Sequence, residues 1–472
     1  MNNRKKDKDL IIGTITYAIG SFGSKVMSFL IVPLYTYYIM PSDLGDYDLL
    51  IATVSLLSPL ITMKISEATY RWIINSKDNE VIYISATYKY LFRNCIISAI
   101  ILLIINQIIP IWYCYYFVFI LIGDRILECL QKLLRGLKNQ KLFAISGLFQ
   151  TAVMVVCNMI KICVFGEGVV ALLQSNILSL YLTILFILIF EKRLRKVDFK
   201  LNVKKQQKEM LAYSIPLVPS ALSWWVMNAS DRYIIRLVIG SAANGIYSVA
   251  YKFPSILQTF LNMFNNAWVD LVLSGLKKDK ESIEYINKIF NILVKISFEV
   301  LFVLIPITKL VMNLILSNSY KEASIYIGFL YLGTLFNCFS TFCNVGYLQD
   351  KKTVGAAKTS AVGALVNVCV DLLLIRYIGL FAASISTFLG CFVMWIIRMK
   401  DMKATFSIKI RYPNFCLYLT LGVIISIVTI RSNNVQDLVL AIVFGFYFLV
   451  RNWKMIFKML YSVKYKIRKN KL

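Results

Sequence analysis

The 472-residue chain contains no histidine. That absence excludes imidazole acid–base catalysis, Ser–His triads and histidine-ligated metal sites. The ten cysteines form no CxxC pair and fall mostly inside apolar runs, where they read as small buried hydrophobes. No phosphate-cradling glycine loop and no Walker lysine motif is present, so neither direct nucleotide drive nor any cofactor is expected. Acid is scarce as well. There are 25 Asp and Glu against 52 Lys and Arg, a formal net charge of +27. In a soluble chain that imbalance would suggest nucleic acid. Here the basic residues sit between apolar runs, so no nucleic-acid partner is expected. The charge reads instead as topology and contact with anionic membrane lipids.

What is abundant is apolar length. Hydrophobic residues make up 58% of the chain, and mean hydropathy is +0.67. Repeated apolar runs of about 20 residues each predict an all-α, polytopic membrane protein. Fourteen spans can be drawn, at roughly 10–40, 44–70, 82–108, 111–134, 142–164, 168–190, 211–240, 244–274, 285–316, 324–349, 354–375, 379–397, 412–430 and 435–450. The basic N-terminus leads into a run too long for a cleaved signal peptide, and reads as a retained first span. With both termini inside, 35 of the Lys and Arg residues fall in inner segments and three (Lys321, Arg376, Arg431) in outer loops. That asymmetry supports an even span count. The outer loops reach at most about seven residues, too short for an external catalytic domain, so an enzyme is not expected.

The predicted organisation is a six-helix lobe over 1–190, a cytoplasmic linker over 191–210, a second six-helix lobe over 211–400, and helices 13 and 14 with a basic tail over 401–472. A short echo links the lobes. Gly45 and Tyr47 in PSDLGDYDLL match Gly245 and Tyr247 in GSAANGIYSVAY, each opening an inward-running helix. The inner turns KNQK (138–141) and QDKK (349–352) also fall in equivalent places. The pattern suggests a parallel repeat, as in two-lobed transporters.

Charged residues inside spans are costly and mark candidate sites. Lys25 lies near mid-span, sharing a helical face with Ser21 and Ser28. Lys64, Glu67 and Arg71 cluster at the inner end of span two, where Lys64 and Glu67 can simply pair. Span four carries Asp124, Arg125, Glu128 and Lys132, span seven Asp231, Arg232 and Arg236, and span eight Lys252. Arg232 and Arg236 stand at i,i+4, so they repel unless an anion intervenes; Asp231 could neutralise one of them. Lys295 and Glu299 read as an internal pair, and Lys161 and Asp371 as peripheral. The interior charge is cationic, which suits an anionic substrate. Lys25, Arg232, Arg236 and Lys252 are the candidate substrate-binding residues. Asp124, Asp231 and Glu67 are the candidate carboxylates for coupling to an ion gradient.

The stretch YAIGSFGSKVMSFLIVPLYTYYIMPSDLGDYDLL, followed by ITMKISEATYRWI, resembles the start of polysaccharide repeat-unit flippases of the O-antigen transporter (Wzx) type. SIPLVPSALSWWVMNASDRYIIRLVIGSAANGIYSVAYKFP is similar to their span-seven to span-eight signature. The likeness runs over spans one to twelve, within a superfamily that also holds multidrug and lipid-precursor exporters. It implies a V-shaped, two-lobed bundle moving undecaprenyl-diphosphate-linked oligosaccharide to the outer leaflet of a bacterial inner membrane. Such a protein would serve O-antigen, lipopolysaccharide or capsule synthesis, with a polymerase and a chain-length regulator as partners. Lys25, Asp231, Arg232 and Lys252 fall in the signature regions. A multidrug antiporter of the same fold is the alternative; it would need an acidic cavity.

Overall fold

The computed structural model describes residues 23–75, 80–273, 280–349, 353–406 and 412–469. Among the described residues there are helices and turns and no strand. Residues 23–30 are helical and run into α1 (Val32–Tyr38); α2 (Pro41–Thr62), α3 (Ile65–Asn75), α4 (Glu80–Ile108) and α5 (Cys114–Gly136) follow. Next come α6 (Gln140–Met159, extended by a π-type turn Ile160–Val164), α7 (Val169–Phe190), α8 (Lys204–Ser214), α9 (Val218–Val238) and α10 (Ser241–Leu273). The rest are α11 (Lys280–Ile315), α12 (Ile327–Gln349), α13 (Thr353–Ile378), α14 (Leu380–Phe406), α15 (Tyr412–Arg431) and α16 (Asn434–Lys469).

Among the described residues, ten helical stretches are long and apolar enough to cross a membrane, and a bent pair, Asn318–Ile325 with Ile327–Tyr347, makes an eleventh. The other three expected crossings are α5, α10 and the first. The helices α5 and α10 have 23 and 33 residues, enough to span, but interrupt their apolar runs with charge or amide groups. Part of the first, with Ser21, lies outside the described residues. The chain is a multi-pass, all-α membrane protein.

One of the expected spans breaks, and another carries an irregular turn. The second was drawn over 44–70, but α2 stops at Thr62. Met63 and Lys64 both take left-handed backbone (φ 44 and 55) before α3 starts. Thr62 Oγ1 accepts from the Lys64 amide at 3.2 Å, which caps the break. The seventh remains one stretch, Lys204–Val238, with a 3₁₀ turn around Pro216 at Ile215–Leu217 between α8 and α9.

The chain divides into two compact units. The first comprises Met1–Lys252, Leu316–Tyr320 and Val354–Ser386. Its core is aliphatic, built from α2 to α7 with residues such as Leu50, Ile65, Ile84, Leu121 and Leu173. The connection after α7 is pinned to this unit. Glu191 accepts two hydrogen bonds from Arg193, at 2.9 and 3.0 Å, and one from Asn139 at 2.9 Å. The Arg193 guanidinium holds the Glu191 carboxyl below the ordinary range. Lys89 Nζ reaches the Leu201 carbonyl at 2.6 Å.

The second unit comprises Phe253–Ile315, Lys321–Thr353 and Thr387–Leu472. Its core is aromatic. Phe298, Phe336, Phe339, Trp395, Phe415 and Tyr418 interlock at ring separations of 5.1 to 6.2 Å. Within a bilayer there is no hydrophobic drive between helices, so this dispersion and edge-to-face packing holds them together. Lys309 is buried near one end, with Asp437 at 3.3 Å and the Thr429 and Ser432 carbonyls at 2.5 and 2.7 Å. A buried cation so satisfied clamps the α15–α16 turn to α11.

Candidate functional site

Three of the predicted cations meet within the first unit. On α9, Trp225, Arg232 and Arg236 recur at helical spacing and face α2. Arg232 Nε bonds Asp48 Oδ2 at 2.5 Å, and Arg236 Nε bonds Asp46 Oδ1 at 2.9 Å. Tyr233 and Thr53 share a hydrogen bond of 2.6 Å, and Trp225 Nε1 donates to the Ala52 carbonyl at 2.9 Å. The α2–α9 seam is therefore polar along its length. The acids beside the two arginines are Asp48 and Asp46, where the sequence reading offered Asp231.

Lys252 on α10 is half-buried, its ammonium 4.8 Å from the centre of the Tyr35 ring on α1. Tyr35 is itself buried, its hydroxyl accepting from Asn158 Nδ2 at 2.9 Å. A cation over an aromatic face is stabilised without losing its charge. Lys25, exposed on the helix before α1, lies within electrostatic reach of Lys252, as does Asp48. Arg232 also packs over Tyr251, 5.4 Å from the ring centre. Lys25, Arg232 and Lys252 thus form one cluster from three helices, with Asp48 among them. Arg236 is more exposed and belongs to the neighbouring Asp46 contact.

The echo residues sit beside this cluster. A Cβ on Gly45 would fall 1.9 Å from the Ser241 carbonyl oxygen, and one on Gly245 1.9 Å from that of Pro41. The N-terminal turns of α2 and α10 therefore cross backbone to backbone, through equivalent residues. Ser241 donates to Asp46 Oδ1 at 2.5 Å and Asn244 to the Gly45 carbonyl at 2.7 Å.

Asp231 points elsewhere. It is buried and accepts from the Tyr247 hydroxyl at 2.9 Å. Asp371 on α13, taken from sequence as peripheral, is fully buried and within electrostatic reach of Asp231. Neither Asp371 oxygen has a hydrogen-bond partner among the described residues. One turn earlier on α13, Asn367 accepts from Ser230 at 3.1 Å. Two adjacent buried carboxylates cannot both remain charged without a shared proton or a small cation between them. Sequence reasoning missed this pairing, since 140 positions separate the two acids.

The other candidate carboxylates are held in ion pairs. Asp124 pairs with Arg125, which also binds Glu128 at 2.5 Å, and Glu128 accepts from Ser58 at 3.1 Å. Glu67 pairs with Lys132 at 2.5 Å rather than with Lys64, because the break at Met63–Lys64 separates the expected partners. The expected Lys295–Glu299 pair is also replaced. Lys295 donates to Asn452, and Glu299 receives Asn452 and Arg451. Among the described residues, no group of three or more Cys, Asp or Glu could hold a metal ion.

The family model described as "Polysaccharide biosynthesis protein" matches residues 10–269, which include the whole cationic cluster. The chain belongs to the polysaccharide biosynthesis protein family. No curated protein sequence matches it. Solved structures similar to this family member include the lipid II flippase MurJ in an inward closed conformation. That likeness has TM-score 0.70 at 12% identity, covering 94% of this chain and 100% of the other. A multidrug resistance MATE transporter of the MOP superfamily, inward-facing, gives TM-score 0.63 at 14% identity, covering 84% and 98%. A eukaryotic MATE transporter gives 0.55 at 13%, covering 89% and 99%. At such identities the likeness defines the fold, which is that of MOP-superfamily transporters and flippases.

Proposed function

We propose that this polysaccharide biosynthesis protein is a flippase for lipid-linked oligosaccharide repeat units of a bacterial surface polysaccharide. It works by alternating access in the inner membrane, with both termini cytoplasmic. One observation carries the reading: Lys25 and Lys252 lie within electrostatic reach of one another in the first unit, with Asp48 and its partner Arg232 beside them. Two lysines within electrostatic reach of one another repel, and an anion between them relieves that repulsion. A diphosphate linkage supplies such an anion, and its sugars cannot cross hydrocarbon unaided. The MurJ likeness is consistent, since that protein is by name a flippase of a lipid-linked precursor. A cationic cluster does not suit the cationic drugs of a multidrug antiporter. O-antigen and capsule units both fit. The buried Asp231–Asp371 pair is the proposed coupling site.

The test is Lys25→Gln with Lys252→Gln. Surface polysaccharide should fall at least tenfold, with lipid-linked units accumulating at unchanged protein level. Restoring charge with Lys252→Arg should recover part of it. Full-length glycan at wild-type amount in the double variant would remove these lysines from the mechanism.

A further inference from the structure

A second cationic site lies within the second unit. An open cleft of about 920 Å³ runs between α11, α15 and the middle of α16. Lys280, Lys288, Lys295 and Arg451 line it, with Glu284 the one lining carboxylate among the described residues. Asn291 and Asn414 add amide groups. Lys280, Glu284, Lys288, Asn291 and Lys295 fall at spacings of three and four on α11, so they share one face.

Two side-chain ties give a length along the helices that can be compared with a bilayer. Asn313 bonds Asn434 at 2.9 Å at one end of the antiparallel α11–α16 pair, and Lys295 bonds Asn452 at 2.9 Å farther along. Eighteen residues separate the ties on each helix, about 27 Å at 1.5 Å per residue. That is close to the roughly 30 Å hydrocarbon thickness. Lys295 and Arg451 therefore stand near one hydrocarbon boundary. Lys288 and Lys280 continue beyond it by about 10 and 22 Å along α11, Lys288 at the outer edge of the headgroup layer and Lys280 past it. Both are exposed and make no ion pair among the described residues. At the deep end, Glu299 is 1% exposed and engaged by Asn452 at 2.6 Å and Arg451 at 3.4 Å. With Glu284 it sets two negative charges against four cations, which leaves the cleft with excess positive charge.

The geometry points to a binding site for the phosphate of a lipid headgroup, on the face of the membrane that carries the basic loops. Basic pockets between membrane helices at headgroup depth bind anionic lipids through such lysines. Two sources share this chemistry: a bulk anionic phospholipid, or a polyprenyl diphosphate of the substrate class. The assignment stands without the substrate reading, because it uses neither Lys25 nor Lys252.

The full-length protein, in phosphatidylcholine nanodiscs doped with phosphatidylglycerol or with a polyprenyl diphosphate, separates the two sources by native mass spectrometry of retained lipid. Lys288→Gln with Lys295→Gln should lower retention about tenfold for the lipid that occupies the cleft. Lys25→Gln with Lys252→Gln should leave phosphatidylglycerol retention unchanged, and it is the background in which polyprenyl diphosphate retention is read, because it removes the separate first-unit contact proposed for a diphosphate. The exposed pair Lys280→Gln and Lys288→Gln provides a second variant that spares the Asn452 tie. A loss confined to phosphatidylglycerol assigns a structural lipid; a loss for polyprenyl diphosphate assigns a docking station for the substrate. Unchanged retention of both probes in both cleft variants overturns the site, whatever the surface-polysaccharide assay shows.

Discussion

Replacing Gly245 with Ala should prevent this protein from holding its fold in detergent. The new methyl would fall 1.9 Å from the Pro41 carbonyl oxygen, against a contact distance above 3 Å, and the obstacle is helix backbone that cannot rotate away. The N-terminal turns of α2 and α10 would have to separate by more than an ångström. That movement also strains the Asn244 bond to the Gly45 carbonyl and the Ser241 bond to Asp46. Overpacking costs roughly 1–3 kcal/mol and each hydrogen bond about 1 more. The sum, about 3–5 kcal/mol, is a large part of the 5–15 kcal/mol that holds a typical domain. Gly45→Ala should behave alike, facing the Ser241 carbonyl at the same distance. Gly445→Ala is the control: nothing lies within 4 Å of its new methyl, and alanine favours a helix. A melting temperature for Gly245→Ala within two degrees of wild type would show that the crossing is looser than the structure has it.

Asp371→Asn should have the opposite profile: a stable protein that no longer transports. Two carboxylates share a buried space with Tyr247 and Asn367 nearby, and neither Asp371 oxygen is hydrogen-bonded among the described residues. Neutralising one acid removes a like-charge repulsion and a desolvation cost, so the melting temperature should hold or rise. The same change removes the negative charge that would hold a proton or small cation, so surface polysaccharide should fall by at least tenfold. The coupling ion should also stabilise the wild type, by about 2.7 kcal/mol at a hundredfold excess over its dissociation constant, and raise its melting temperature, whereas the variant should not respond. Titrations in NaCl, in choline chloride and across pH distinguish sodium from a proton. A fully active Asp371→Asn protein with wild-type ion response would exclude the pair from coupling.

The contrast between these two sites shows what could be read along the chain. Helix type and the membrane setting were legible because each span carries its own apolar run, a local property. Arg232 and Lys252 stood out as candidates for the same reason: charge inside such a run is conspicuous wherever it folds. The echo of Gly45 and Gly245 was visible as a repeat, but its meaning as a backbone crossing was not. Contact partners lay beyond reach. Asp46 and Asp48 were in plain view in PSDLGDYD, yet nothing in their spacing says that α9 lies against them. Asp371 looked peripheral because depth was counted along one helix, whereas burial comes from the helices around it.

Local hydropathy and charge asymmetry sufficed for the class of protein and for its inventory of costly charges, since both depend on near neighbours in the chain. Which charges neutralise each other, and which remain for a ligand or an ion, depended on helix crossings. Those crossings bring together residues 140 to nearly 200 positions apart, through packing contacts that a one-dimensional pattern does not encode.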